Sequence, residues 1–175
     1  RIGLRTLELF RERDRHGESF YHRVNGVPFF AMGADYIPED NILSRITPER
    51  TKELLMACKD AHFNIIRVWG GGYYPDDFFF DLCDELGIVV FLDMMFACCL
   101  INDDKDFLAN VTAEFCDNLK RVRHHASIAV ISGNNEIEQI FADPCFSEFH
   151  PICIELFEGI LPELIKELCP YIPYV

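Results

Sequence analysis

The chain has 175 residues, 50% hydrophobic and 26% charged, proportions that fit a folded globular protein and exclude a disordered or low-complexity chain. Its 16 basic and 29 acidic residues leave a formal charge of −13. That much negative charge repels phosphate backbones and anionic lipid, so nucleic acid and membrane surfaces are poor partners, and no run of about 18 apolar residues exists to span a bilayer.

Leu4, Leu7 and Leu9 alternate with polar residues, so residues 4–10 are expected as a strand. Residues 20–24 and 27–32 flank Asn25-Gly26, a dipeptide that supplies the two positive φ angles of a tight type I′ turn, and so form a hairpin. Val27 to Met32 is taken as the first core strand, ending at Gly33, with Asp35 just beyond it. Thr47-Pro48 then caps a helix whose Leu54, Leu55, Cys58 and Ala61 mark a buried face. Ile65 to Trp69 is an apolar strand closing on Gly70-Gly71-Gly72. Pro75-Asp76-Asp77 opens a second helix, lined by Phe79, Leu82, Cys83 and Leu86 and stopped by Gly87. Ile88 to Leu92 is the next strand. A long helix over about 104–124 carries Phe107, Val111, Phe115, Leu119 and Val122 on one stripe. Ile128 to Ile131 is the fourth strand, followed by Gly133-Asn134-Asn135-Glu136. A last helix covers about 152–168, and Tyr171 to Val175 opens another strand.

Apolar strands alternating with amphipathic helices imply parallel β/α units, because each crossover helix covers a sheet face. Four units and the start of a fifth are present, whereas a complete eight-fold barrel takes about 200–250 residues. The expected architecture is α/β: a partial (β/α)8 TIM barrel of about four units, preceded by a short β-hairpin. The expected boundaries are residues 1–17 for the end of a preceding β-sandwich and its linker, and 18–175 for the first half of the barrel. The chain starts at Arg1 rather than Met and has the look of an excised piece. Eight cysteines without a Cys-x-x-Cys pair are expected mainly as buried free thiols acting as small hydrophobes, which suits a reducing, cytoplasmic compartment. No cofactor motif or metal-ligand spacing is present; His124 and His125 are adjacent, which is wrong for two ligands on one helical face.

Reactive groups of parallel α/β folds gather at the carboxyl ends of the strands. There the chain places Asp35, Arg67 with Trp69, Asp93, and Asn134-Asn135-Glu136. Glu136 follows four apolar residues and a glycine, so a buried strand delivers it to the rim. Glycoside hydrolysis needs one carboxylic acid to protonate the leaving oxygen and a second carboxylate opposite it. Asn135 suits a sugar hydroxyl, Arg67 offers a fork of donors for a carboxylate, and Trp69 offers an apolar face to a sugar ring. Each also has a structural reading. Arg67 could neutralise a buried carboxylate, Trp69 could be core, and Asp93 could orient Arg67. Glu138 is expected on a different side from Glu136, and Phe78, Phe79 and Phe80 as helix core. The triple glycine is read as a tight turn rather than a phosphate cradle, since no Lys-Ser/Thr follows.

The runs Asn64-Ile65-Ile66-Arg67-Val68-Trp69-Gly70-Gly71-Gly72, Phe80-Asp81-Leu82-Cys83-Asp84-Glu85-Leu86-Gly87-Ile88, Asp93-Met94-Met95-Phe96-Ala97-Cys98, Arg123-His124-His125 and Gly133-Asn134-Asn135-Glu136 together resemble the β-mannosidases of glycoside hydrolase family 2. The resemblance implies a retaining hydrolase of terminal β-D-mannose residues that works through a glycosyl-enzyme intermediate. It implies Glu136 as general acid/base and Asn135 as a sugar ligand, beside Arg67, Trp69 and Asp93 in substrate binding. It also implies a nucleophile on a seventh strand that this chain lacks, so the fragment alone is expected to be inactive. Its partners are then a β-mannoside or oligosaccharide, and the rest of its own barrel or a second copy across the open sheet edges. The chain departs from the family at Asp35-Tyr36 (commonly Asn-Trp), at Phe91-Leu92 (commonly Trp-Gln) and at Ile137 (commonly Asn). β-Galactosidase or β-glucuronidase specificity, or a non-catalytic α/β binding domain, are the alternatives.

Overall fold

A computed structural model of the protein describes residues 2–145 and 150–175. Strands β1 (Leu7–Phe10), β4 (Tyr21–Val24) and β5 (Val27–Phe29) form an antiparallel sheet, with the small ribbon β2 (Arg13–Asp14) and β3 (Gly17–Glu18) between the first two. Asn25 and Gly26 have φ of 51° and 78°, the backbone of a type I′ turn. β1 pairs with β4, Leu7 opposite Val24, so the first residues are hydrogen-bonded into the hairpin sheet.

Strands β6 (Gly33–Tyr36), β7 (Ile65–Val68), β8 (Val89–Asp93) and β9 (Ile128–Ser132) form a four-stranded sheet in that order, parallel throughout. Helices α1 (Pro48–Asp60), α2 (Asp77–Leu86) and α3 (Lys105–Val122) make the crossovers. Past β9 come the short α4 (Ile137–Phe141) and a helical segment that runs through α5 (His150–Cys153), a π-helical stretch Ile154–Ile160 and α6 (Leu161–Leu168). The tail then returns beside β9: Ile131 donates its N–H to Pro173 and accepts from Val175, with a parallel bridge to Tyr174. The expected opening of a further strand is therefore seen.

The first parallel strand differs from the expectation. Val27–Phe29 belongs to the hairpin, and the parallel strand is Gly33–Tyr36, so Asp35 lies within it rather than beyond it. The segment lacks an apolar signature because β6 is an edge strand on which only Tyr36 is buried.

The main core lies between the sheet and its helices, where Val68, Val90, Leu92 and Ile131 meet Leu55, Phe79, Phe80, Phe115 and Leu119. The opposite sheet face carries a smaller cluster, with Leu7, Leu9, Val24 and Phe29 of the hairpin sheet against Val89, Phe91, Ala129 and Val130. Helix ends follow local rules. Thr47 accepts from the Arg50 N–H with Pro48 next in sequence, Asp104 accepts from Asp106 and Phe107, and Gly87 closes α2 at φ 69°. On α1 only Thr51 and Leu55 are buried; Leu54 and the following Ala61 are exposed, because α1 lies by the edge strand β6 and its main helix neighbour is α2. Phe79 and Phe80 are core, but Phe78 is exposed. Among the described residues, no helix is long and apolar enough to cross a membrane.

Asp84 ties the end of α2 to the start of β9. One carboxylate oxygen accepts the Ser127 N–H at 2.7 Å and the other lies 2.9 Å from His125 Nδ1, with Ser127 and His125 both buried. Asp84→Ala would leave both groups without a partner, at a cost of about 1–3 kcal/mol. Urea denaturation of the chain is expected to show its midpoint lowered accordingly; an unchanged midpoint would remove the tie from the account.

Candidate active site

Along the parallel sheet the register sets Asp35 opposite Arg67, Arg67 opposite Phe91, and Asp93 opposite Ser132. Side chains alternate along a strand, so Arg67, Phe91 and Asp93 share the face turned away from the helices, at the carboxyl ends of the strands. The Arg67 guanidinium stands 5.6 Å from the centre of the Phe91 ring.

Asp93 is fully buried. Arg67 Nε donates to its Oδ1 at 3.0 Å and Nη2 to its Oδ2 at 2.7 Å, a two-pronged pair, and the Gly70 N–H donates to Oδ2 at 3.1 Å. Gly70 must lack a side chain, because a Cβ there would meet the Met94 and Phe96 carbonyls at 2.6 and 2.7 Å. The triple glycine is thus a close-approach turn, as its sequence suggested. Burial pushes the Asp93 carboxyl up from its ordinary value, against the hydrogen bonds and field of Arg67. Burial also opposes the Arg67 charge, but Asp93, then Asp35 and Glu136, outweigh it and hold the guanidinium above its usual value. Asp35 Oδ1 lies 3.9 Å from Arg67 Nη1 and remains half exposed.

The same Arg67 Nη2 donates to Asn135 Oδ1 at 3.0 Å, and Asn135 is buried. The next residue, Glu136, turns out to solvent at φ 60°, a left-handed backbone uncommon for a non-glycine residue. Ile137 starts α4 immediately afterwards, its N–H bonded to Asn134 Oδ1. Such strain persists only where the surroundings impose it. Here Asn135 is fastened on both sides: its N–H donates to the Phe96 carbonyl at 2.8 Å and its carbonyl accepts the Cys98 N–H at 3.0 Å. The Glu136 carboxylate borders a cleft of about 380 Å³ lined also by Asn134, Glu138, Glu158 and Tyr174. A larger cleft of about 630 Å³, lined by Asp84, His124 and His125, lies at the opposite ends of the strands, where parallel α/β folds do not place chemistry.

Four of the five expected site residues fall within this neighbourhood, and Arg67, Asp93 and Asn135 are joined directly. Trp69 is half-buried with its ring folded over Gly71, outside the hydrogen-bonded group. Glu138, expected on a different side from Glu136, lines the same cleft. One residue was missed. Cys98 is exposed rather than buried, with Sγ 3.3 Å from Glu136 Oε2. All eight cysteines are free, and only Cys83, Cys153 and Cys169 are fully buried.

No family model matches the chain. It is 44% identical over 140 residues to a β-mannosidase of Bos taurus, covering 79% of this chain and 16% of that protein. It is 38% identical over 182 residues to β-mannosidase B of Aspergillus clavatus, covering 97% of this chain and 22% of that one. The crystal structure of a β-D-mannosidase from Dictyoglomus thermophilum superposes on 99% of the chain at a TM-score of 0.90 and 40% identity, using 22% of its own length. A β-glucuronidase of Bacteroides uniformis has the same fold at a TM-score of 0.79 and 20% identity. These 175 residues are thus similar in sequence and fold to β-mannosidases and span about a fifth of the length of those relatives.

The ion pair makes a measurable demand. Arg67→Met removes the counter-charge of a buried carboxylate and is expected to destabilise the chain by about 2–4 kcal/mol, less than a fully buried pair because part of Arg67 is exposed. Adding Asp93→Asn should recover part of that loss in a double-mutant cycle read by urea denaturation. A single variant as stable as the parent would contradict the pairing.

Proposed function

We propose that the chain is the acid/base half of a retaining β-mannosidase, the first four units of a (β/α)8 barrel. In this reading residues 18–175 belong to the barrel, and residues 1–17, whose strand β1 is paired with β4 of the barrel part, connect it to a preceding β-sandwich. The barrel continues across the open edges of the sheet, and the nucleophile comes from outside these residues. The observation that carries the reading is the delivery of Glu136. A solvent-facing carboxylate stands on a left-handed residue at the carboxyl end of β9, directly after an asparagine fixed by Arg67.

The roles follow from the chemistry. Glu136 protonates the departing glycosidic oxygen, and its carboxylate then takes a proton from the water that releases the sugar. Asn135 holds its carbonyl oxygen to Arg67, and of the two N–H donors on its amide one meets Cys98 Sγ at 3.5 Å, leaving the other for a sugar hydroxyl. Arg67 and Asp93 keep that amide in one orientation, and Trp69 gives the ring an apolar surface. The substrate is a terminal β-D-mannoside. Identities of 38–46% to β-mannosidases, against 18–20% to the β-glucuronidase structures, support mannose over a uronic acid.

Kinetics of the whole protein on nitrophenyl β-glycosides and alkyl β-mannosides test this. Cleavage of β-mannoside is expected to exceed that of β-galactoside and β-glucuronide. Glu136→Gln is expected to lose about 10²- to 10⁴-fold in kcat/KM where the leaving group needs a proton, with a smaller loss on dinitrophenyl β-mannoside. A Glu136→Gln variant equal to wild type on every substrate would overturn the assignment.

A further inference from the structure

We propose that Cys98 is a positioning residue for Glu136, the last link of a one-directional hydrogen-bond relay that starts at Asp93 and decides which carboxylate oxygen carries the catalytic proton. The inference rests on the reading of Glu136 as the acid/base.

The relay is fixed by which groups can donate. Asp93 accepts from Arg67 through both oxygens. Arg67 is donor-only, so the atom of Asn135 that meets Nη2 at 3.0 Å must be its carbonyl oxygen. The amide NH2 is then turned toward Cys98 Sγ, 3.5 Å away. The sulfur receives that proton, which leaves its own S–H to be given to Glu136 Oε2 at 3.3 Å. The links from Arg67 to Asp93 and Asn135 run one way because a guanidinium only donates; the thiol hydrogen has two acceptors, Glu136 Oε2 at 3.3 Å and the Asn135 backbone carbonyl at 3.9 Å, and the nearer is the carboxylate. The backbone holds the sulfur in place: the Cys98 N–H donates to the Asn135 carbonyl, and the neighbouring Ala97 pairs with Asn135 as a parallel bridge. Cys98 stands at φ 49° opposite Glu136 at φ 60°. Two left-handed non-glycine residues thus face each other across one clamp, a backbone that non-glycine residues adopt only where their surroundings impose it.

The bond to Glu136 pushes the Cys98 thiol above its ordinary value, so at neutral pH the sulfur keeps the proton it donates. With Oε2 occupied by that S–H, the proton for the leaving group sits on the other oxygen, Oε1, and the rotation of the carboxyl is restrained. Loss of the thiol therefore harms proton delivery and leaves sugar binding in place.

Cys98→Ala and Cys98→Ser in the whole protein test the relay, with Glu136→Gln measured in parallel. Alanine and serine keep the Cβ, so the cost of the left-handed backbone is matched and Cys98 is exposed enough for either to fold. Cys98→Ala is expected to lower kcat on an alkyl β-mannoside about tenfold or more, a part of the 10²- to 10⁴-fold that acid catalysis supplies, with KM little changed and dinitrophenyl β-mannoside spared. Cys98→Ser, which retains a donor, is expected to restore most of the rate. Cys98→Ala matching wild type on both substrates would overturn the relay, as would equal losses for alanine and serine on both. If Glu136→Gln shows the leaving-group-dependent loss and Cys98→Ala does not, the relay alone fails. If Glu136→Gln shows no loss either, the acid/base reading fails with it.

Discussion

Asp93 has no exposure to solvent, and a carboxylate so placed needs a counter-charge and hydrogen bonds on both oxygens. Arg67 supplies them from the neighbouring strand, and the geometry around the pair follows from that requirement. The Gly70 N–H must come close enough to complete the shell, which is why the turn after β7 has no room for a Cβ. The guanidinium has a donor left over and spends it on Asn135. Once Asn135 is held, the next residue leaves the strand in a strained turn that directs Glu136 outward. A buried pair of this kind contributes little net stability. Its value here is to fix one arrangement of polar groups at the open end of a hydrophobic sheet.

Much of this was legible in the residues because the apolar signals were strong. Val68, Val90, Leu92 and Ile131 are buried, and the crossover helices carry Phe79, Phe80, Phe115 and Leu119 at helical spacing, so strands β7 to β9 and their helices stood where expected. Arg67, Asp93 and Asn135 were identifiable as polar residues at strand ends. Strand β6 was misplaced because an edge strand with three of four residues exposed shows no alternation, while the more apolar Val27–Met32 next to it was in part a hairpin. Leu54 was put on a buried face because spacing predicts a face without saying what covers it. Cys98 was taken for a small hydrophobe, since no sequence pattern announces that a loop will return its thiol to a carboxylate 38 positions later.

The fold is kept over a wider range of sequence than any one activity. Superposition on a β-D-mannosidase structure over 99% of the chain places the same strands and helices together at 40% identity, and a β-glucuronidase keeps the arrangement at 20%. The scaffold thus tolerates wide change, as packing of hydrophobic volume does, and the function must be argued from the strand-end residues rather than from the fold. Here those residues form a hydrogen-bonded line from a buried ion pair through Asn135 and Cys98 to an exposed carboxylate.

The most direct test of that account is a crystal structure of the whole protein carrying Glu136→Gln, with an intact alkyl β-mannoside bound. The account predicts the residue 136 amide about 2.6–3.2 Å from the glycosidic oxygen, with the Asp93–Arg67–Asn135 connection unbroken beneath it. A mannoside whose glycosidic oxygen lies against Glu138 or elsewhere in the cleft, beyond reach of residue 136, would contradict it.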